Sequence, residues 1–318
     1  MDREKILCCS NVNKTFKKSR SRKVHVIKNL SLEIYEEETL GLVGESGSGK
    51  STISKILMQL IEADSGEIVY RGKKITNLSS REKKLLKKDI QYIFQDPKSA
   101  LNNKKRVGWL LEEPLKVHTK MKKEERHEKI IEMLDLVGLS EDYLDQYPHR
   151  LSGGQAQRIA ILCSIMNNPK LIIADEPVSA LDVSVQAQIL NFLQFLKKEL
   201  KLTMVFITHD LNVCYYMADR VAVMYFGRIV ELGDVEDIYK NPKHPYTKEL
   251  LEAGFNGEID YDISSIDKGG EIKLGEKFCE YIARCPHSMD KCRTRAPKLY
   301  KLDNKRQVRC FLYEKMQV

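Results

Sequence analysis

The sequence predicts an α/β protein: a parallel sheet flanked by helices, an antiparallel β segment ahead of it and an inserted helical lobe. Three observations carry this. The apolar run Thr39-Leu40-Gly41-Leu42-Val43 leads into the glycine-rich stretch Gly44–Thr52. Beyond that stretch Ile53, Ile56, Leu57, Leu60 and Ile61 recur at helical spacing. Further strand-like runs at Ile90–Gln95, Lys170–Asp175, Thr203–Thr208 and Val221–Met224 alternate with helical stretches, as a parallel sheet requires. Between them, residues 96–150 turn charged and helical, with Ile130, Ile131, Leu134 and Val137 on one face.

Taken in order, residues 6–35 alternate apolar and polar side chains through Leu7, Cys9, Val12, Val24, Val26, Ile27, Leu30, Leu32 and Ile34, predicting antiparallel strands. The glycine-rich loop and its helix follow. Residues 65–72 read as a turn, a short strand and another turn, and residues 79–89 as a lysine-rich helix. Val185, Ile189, Leu193, Leu196 and Leu200 mark a long amphipathic helix. A Gly-, Asp- and Ser-containing stretch near residues 256–275 predicts a linker. The expected organisation is residues 1–255 as one domain, with a helical subdomain over about 96–165, and residues 256–318 as a small cysteine-bearing extension.

Composition excludes several classes. With 42% hydrophobic and 31% charged residues the chain is globular, and no run approaches the roughly 18 apolar residues of a membrane span. Residues Met1–Cys9 lack an apolar core, so no secretory signal is expected and the protein is placed in the cytoplasm. The formal charge of +8 concentrates only at Lys17–Lys23. Without interleaved aromatics to stack on bases, that patch reads as a solvated hairpin tip rather than a nucleic-acid site.

Gly44-Glu45-Ser46-Gly47-Ser48-Gly49-Lys50-Ser51-Thr52, between a strand and a helix, is a phosphate-binding loop and predicts a P-loop NTPase core. Its glycines let backbone N–H groups turn inward around a phosphate, at the positive end of the following helix. Lys50 can reach the β- and γ-phosphates and Ser51 can place its hydroxyl on Mg²⁺. The strand Leu171–Ala174 ends in two acids: Asp175 suits Mg²⁺, and Glu176, facing the other way, suits polarising a water. Leu151-Ser152-Gly153-Gly154-Gln155 forms a second anion site at a helix start. A chain with one phosphate loop uses that second site most economically on the γ-phosphate held by a second molecule, with two nucleotides sandwiched head to tail between two subunits.

With these motifs in this order, the chain resembles the ATP-binding-cassette ATPases over residues 6 to about 250. The resemblance implies that Phe16 stacks on adenine and that Gln95 senses Mg²⁺ and the transport partner. It further implies that Ser152, Gly153, Gly154 and Gln155 are the signature contacting the opposing ATP, that Asp182 belongs to the loop joining the two sites, and that His209 contacts the γ-phosphate. Phe94-Gln95-Asp96-Pro97, Glu113-Pro114-Leu115, Asp175–Ser184 and His244-Pro245-Tyr246-Thr247 resemble the oligopeptide/dipeptide importer ATPases, nearer their F-type subunit. Ala100-Leu101-Asn102-Asn103 departs from that family's Ser-Leu-Asn-Pro run. The resemblance implies ATP hydrolysis coupled to peptide uptake at the cytoplasmic face of the membrane. It implies as partners a second ATPase, expected to be a paralogue, two permease subunits and, indirectly, an extracellular binding protein. Nickel import, or a soluble ATPase acting on ribosomes or DNA, are the alternatives.

Cys279, Cys285, Cys292 and Cys310 are clustered near the end. Cys279-Glu280-Tyr281-Ile282-Ala283-Arg284-Cys285-Pro286 resembles the C-terminal extension of the same importers, which in some members holds a [4Fe–4S] cluster. Four thiolates suit such a cluster. Zinc also accepts four, though its sites usually begin with a tighter Cys pair, and unligated thiols are the remaining alternative. Cys8, Cys9, Cys163 and Cys214 lie in apolar runs and read as packing residues.

Overall fold

Two sheets organise the chain, which a computed structural model describes over residues 4–17, 23–76, 78–256, 278–303 and 305–315. The first sheet is antiparallel, with β1 (Lys5–Lys17), β2 (Lys23–Tyr35), β4 (Ser65–Tyr70) and β5 (Lys73–Lys74) in the order β2-β1-β4-β5. Lys17 and Lys23 are its outermost rung; most of the expected basic tip lies outside the described residues.

The second sheet has eight strands in the order β11-β12-β10-β9-β3-β8-β7-β6. They are β3 (Thr39–Val43), β6 (Ile90–Ile93), β7 (Leu171–Asp175), β8 (Thr203–Ile207), β9 (Arg220–Tyr225), β10 (Arg228–Asp234), β11 (Tyr300–Lys301) and β12 (Gln307–Val308). The strands from β9 to β6 run parallel, while β10, β12 and β11 continue the sheet antiparallel.

The helices are α1 (Lys50–Leu57), α2 (Ser80–Asp89), α3 (Pro97–Ala100), α4 (Val107–His118), α5 (Lys123–Leu136), α6 (Gly153–Ile165), α7 (Val183–Leu200), α8 (Leu211–Met217), α9 (Val235–Lys240), α10 (Pro245–Asn256) and α11 (Asp290–Thr294). The helical lobe expected over 96–165 corresponds to α3 to α6. No helix among the described residues is long and apolar enough to cross a membrane.

Alternation along the central strands sorts the core. Met204 and Phe206 of β8 face α6 and α7, while Val205 and Ile207 face α1 and the antiparallel sheet. Burial on both faces explains why these strands are unbroken apolar runs. Phe206 is fully buried, so truncating it to Ala is expected to cost about 3–5 kcal/mol.

Two expectations are corrected. The helix after the phosphate loop stops at Leu57 rather than running through Leu60 and Ile61. Gln59 takes a left-handed φ of 56°, which ends the helix and leaves Leu60 exposed. In α7, Ile189, Leu193 and Leu196 are buried, but Leu200 at the last turn is exposed.

Residues 278–315 do not stand apart from the sheet. β12 pairs with β10, and ion pairs stitch the segment down, among them Arg228–Glu280 at 2.6 Å, Glu231–Arg306 at 2.8 Å and Glu45–Arg284 at 3.0 Å. Glu231 is fully buried and also accepts the N–H groups of Lys243 and His244, so its charge is satisfied on every side. Most of the expected linker, residues 257–275, lies outside the described residues.

Candidate functional site

Parallel order brings the C-terminal ends of β3, β8, β7 and β6 side by side, and the loops leaving those ends share one edge of the sheet. This is where ligands bind in open α/β sheets. Gly44–Gly49 leaves β3, Gln95 follows β6, Asp175 and Glu176 end β7, and His209 follows β8.

The loop needs its glycines. Gly49, just ahead of α1, has φ 104°, and a side chain on it would strike Ile27. Gly44, with φ 149°, approaches the backbone of Met224 too closely for any Cβ. Gly47 takes φ 79° and faces open space. Ser46 is exposed, Ser48 is buried, and Thr52 lies in the first turn of α1.

Lys50 folds back over the loop, donating to the carbonyls of Gly44 at 2.6 Å and Glu45 at 3.1 Å. Burial pushes its ammonium below the ordinary lysine value, against the opposing pull of Glu176, Asp175 and Glu45. Ser51 Oγ donates to Asp175 Oδ1 at 3.2 Å. Tyr92 donates to Asp175 Oδ2 at 2.6 Å and also meets Ser54 at 3.1 Å. Burial and that carboxylate raise the Tyr92 phenol above its usual range, keeping it a donor.

Glu176 follows in a left-handed conformation, φ 48°, held by its N–H donating to Ile207 O at 2.9 Å. A non-glycine residue there is strained, and such positions concentrate at functional sites. The Glu176 carboxylate meets other side chains than that of Asp175 does. Gln95 Nε2 donates to Glu176 Oε2 at 3.0 Å, and His209 Nδ1 lies 3.3 Å from Oε1. Lys50, Ser51, Gln95, Asp175, Glu176 and His209 therefore form one constellation.

The other expected residues sit elsewhere. Phe16 is exposed near the end of β1, opposite Val24. The neighbouring Val26 and Ile27 lie against Gly49, so this end of the hairpin borders the loop. Ser152 caps α6 in a closed box with Gln155, at 3.0 and 3.3 Å, and Gln155 donates to Tyr143 at 2.7 Å. The hydrogen bonds of Ser152 and Gln155 thus stay within the helical lobe and do not reach the phosphate loop. Gly153 and Gly154 pack on Leu181 and Val185, where a Cβ at 154 would come within 2.6 Å of Val185. Asp182 caps α7 through Val185 N–H at 3.0 Å.

Cys279, Cys285, Cys292 and Cys310 line a single apolar cavity of about 10 Å³, together with His244, Tyr281 and Met289. All four are free thiols. Burial pushes Cys279 up to about 12 and Cys310 up to about 11. Among the described residues no three His, Cys, Asp or Glu side chains are placed to hold one metal ion.

Sequence reasoning missed three residues. Tyr92 reads only as an apolar strand residue. Tyr246, whose hydroxyl accepts the N–H of Glu45 at 3.0 Å, stands in a quoted motif that carried no role. Arg284, which grips the Glu45 carboxylate, reads in the sequence only as a basic residue flanking the thiols that would ease their negative charge.

A family model described as ABC transporter matches residues 27–179, and one described as oligopeptide/dipeptide transporter, C-terminal region, matches residues 230–292. Over 296 residues the chain is 42% identical to the dipeptide transport ATP-binding protein DppF of Haemophilus influenzae, covering 92% of this chain and 90% of that one. This chain is an ATPase of the ABC transporter family. It is also 47% identical to the oligopeptide transport ATP-binding protein OppF of Streptococcus mutans, over 79% of this chain and 82% of that one. Among solved structures, the ATP-binding cassette MJ0796 in a dimeric post-hydrolysis state bound to ADP and Pi aligns with a TM-score of 0.66. The two are 32% identical, over 72% of this ABC ATPase and 98% of the other chain. The α/β architecture read from the strand–helix alternation is thus that of an ABC cassette.

Proposed function

We propose that this ABC ATPase drives uptake of oligopeptides or dipeptides from the cytoplasmic face of the membrane. It works beside a second, paralogous ATPase and two permease subunits, with cargo delivered by an extracellular binding protein. One observation carries the reading: the Lys50, Asp175, Glu176, Gln95 and His209 side chains converge at adjacent strand ends, in a chain whose C-terminal region matches the oligopeptide/dipeptide branch.

In this mechanism Phe16 stacks on adenine, and the amides of residues 44–52 cradle the phosphates. Lys50 exchanges its two loop carbonyls for β- and γ-phosphate oxygens. Ser51, Asp175 and Gln95 would hold Mg²⁺, which when bound would neutralise charge on the phosphates. Ser51 Oγ and Asp175 Oδ1, 3.2 Å apart, are the oxygen donors such an ion would use. Glu176 accepts the proton of the attacking water, and His209 faces the charge that develops on the γ-phosphate.

The opposing subunit completes the site. The first-turn amides of Gly153 and Gly154 have no acceptor within α6, and Ser152 and Gln155 present that end to the ATP held by the partner. Asp182, between Leu181 and Val185, which pack on those glycines, links the two sites. No nucleic acid takes part.

A [4Fe–4S] cluster is the group we assign to the four thiols, since they line one cavity and a cluster takes four thiolates. A single ion needs all its thiolates within about 2.3 Å of one point, and no such grouping is present among the described residues. A four-iron cluster takes one thiolate per corner, which holds its sulfurs further apart. Cys279, Cys285, Cys292 and Cys310 would be the ligands, and when bound the cluster supplies a rigid crosslink or an electron site.

The test is reconstitution with the paired ATPase and permeases in lipid vesicles. Peptide-loaded binding protein is expected to stimulate ATP hydrolysis and peptide accumulation. Stimulation by nickel alone, or by ribosomes or DNA in the absence of permeases, contradicts the reading.

A further inference from the structure

The phosphate loop carries a carboxylate of its own at Glu45, among the residues that receive a triphosphate. Left uncompensated, a negative charge there opposes nucleotide binding. Its compensation comes from 239 positions further along the chain. Arg284 Nη1 donates to Glu45 Oε1 at 3.0 Å and to Oε2 at 3.3 Å, and Nη2 donates to Glu249.

The same glutamate is held at its backbone. Its N–H donates to Tyr246 Oη at 3.0 Å and its carbonyl accepts from Lys50 Nζ at 3.1 Å. Arg284 itself is pre-positioned. Its guanidinium lies 5.7 Å over the ring of Tyr281, which is 3% exposed and packs against Tyr225 and Tyr246. Glu280, one residue before Tyr281, is clamped by Arg228 at 2.6 Å.

We infer that Arg284 is a positioning residue of the nucleotide site: it neutralises Glu45 and fixes the entry of the phosphate loop, so the C-terminal segment completes that loop from within the same chain. The inference rests on the reading that ATP binds at residues 44–52. It assigns the C-terminal segment a direct part in ATP affinity, besides any group its thiols hold.

Equilibrium binding of a fluorescent ATP analogue with Mg²⁺ to the purified full chain tests it. Arg284→Gln is expected to weaken binding about tenfold, as loss of one well-placed compensating charge predicts. The loss should shrink as salt is raised. Adding Glu45→Gln should restore affinity to within about threefold of wild type, because the uncompensated charge is gone. A merely structural Arg284 predicts the opposite: a double variant as weak as Arg284→Gln or weaker, at every salt concentration. That result, or wild-type affinity in Arg284→Gln, overturns the inference.

If Arg284→Gln fails to fold by circular dichroism, Glu45→Gln alone decides. Tighter binding at low salt supports the inference, and unchanged or weaker binding refutes it. Failure of the wild-type chain to bind the analogue sinks the ATP reading instead.

Discussion

Gln95 and Glu176 are joined across the ends of two parallel strands, the amide of one donating to the carboxylate of the other at 3.0 Å. The side chain expected to sense Mg²⁺ and the membrane partner is thus bonded to the one expected to activate water. Movement of the loop after β6 therefore re-aims Glu176 directly. His209, 3.3 Å from the other oxygen of the same carboxylate, limits how far Glu176 can swing.

Removing that second restraint should slow chemistry while sparing binding. His209→Ala is expected to lower kcat about a hundredfold, as loss of a proton-handling or charge-stabilising group does. Affinity for ATP should stay close to wild type. Single-turnover hydrolysis beside equilibrium nucleotide binding separates the two, and an equal loss in both would remove His209 from the chemistry.

Tyr92, on the neighbouring strand β6, anchors Asp175. Tyr92→Phe frees one carboxylate oxygen and leaves Ser54 without that neighbour, which should cost about 1 kcal/mol of stability. The distinguishing effect is on Mg²⁺: activity at limiting Mg²⁺ should shift, because the carboxylate is no longer held in one orientation. A Mg²⁺ titration of ATPase activity, paired with a urea melt, measures both.

Gly154 lets α6 approach Val185. Gly154→Val should push the signature away from its working position, abolishing hydrolysis in the assembled transporter. ATP affinity of the isolated chain should change less than about twofold, since that loop is built elsewhere. Loss of cis affinity would mean that the signature serves its own phosphate loop.

Iron and sulfide analysis of protein purified without oxygen examines the thiol cavity. A cluster predicts roughly four irons per chain and a broad visible absorption, both lost on replacing Cys279, Cys285, Cys292 and Cys310 with Ser. Zinc in iron's place, or neither metal, contradicts the cluster.

Much of this site could be read from sequence because its parts are local. Gly44–Thr52, Asp175-Glu176 and His209 each stand at the end of an apolar strand, and strand order alone brings those ends together. Tyr92 was illegible because its role depends on β6 pairing with β7, which sets it beside a carboxylate 83 positions away. The Arg284–Glu45 contact spans most of the chain and has no local pattern. β11 and β12, with 2 residues each, are too short to show alternation, so the return of the C-terminal segment to the sheet was hidden. Leu60 and Ile61 misled because helical spacing continues past a residue that turns left-handed.

Replacing Glu176 with Gln tests the central claim most directly, since the amide keeps the shape and loses the base. In the assembled transporter that variant should bind ATP with wild-type affinity and hydrolyse it at least about a hundredfold more slowly. Undiminished turnover by Glu176→Gln would contradict the assignment of this carboxylate, and with it the mechanism built on the strand-end constellation.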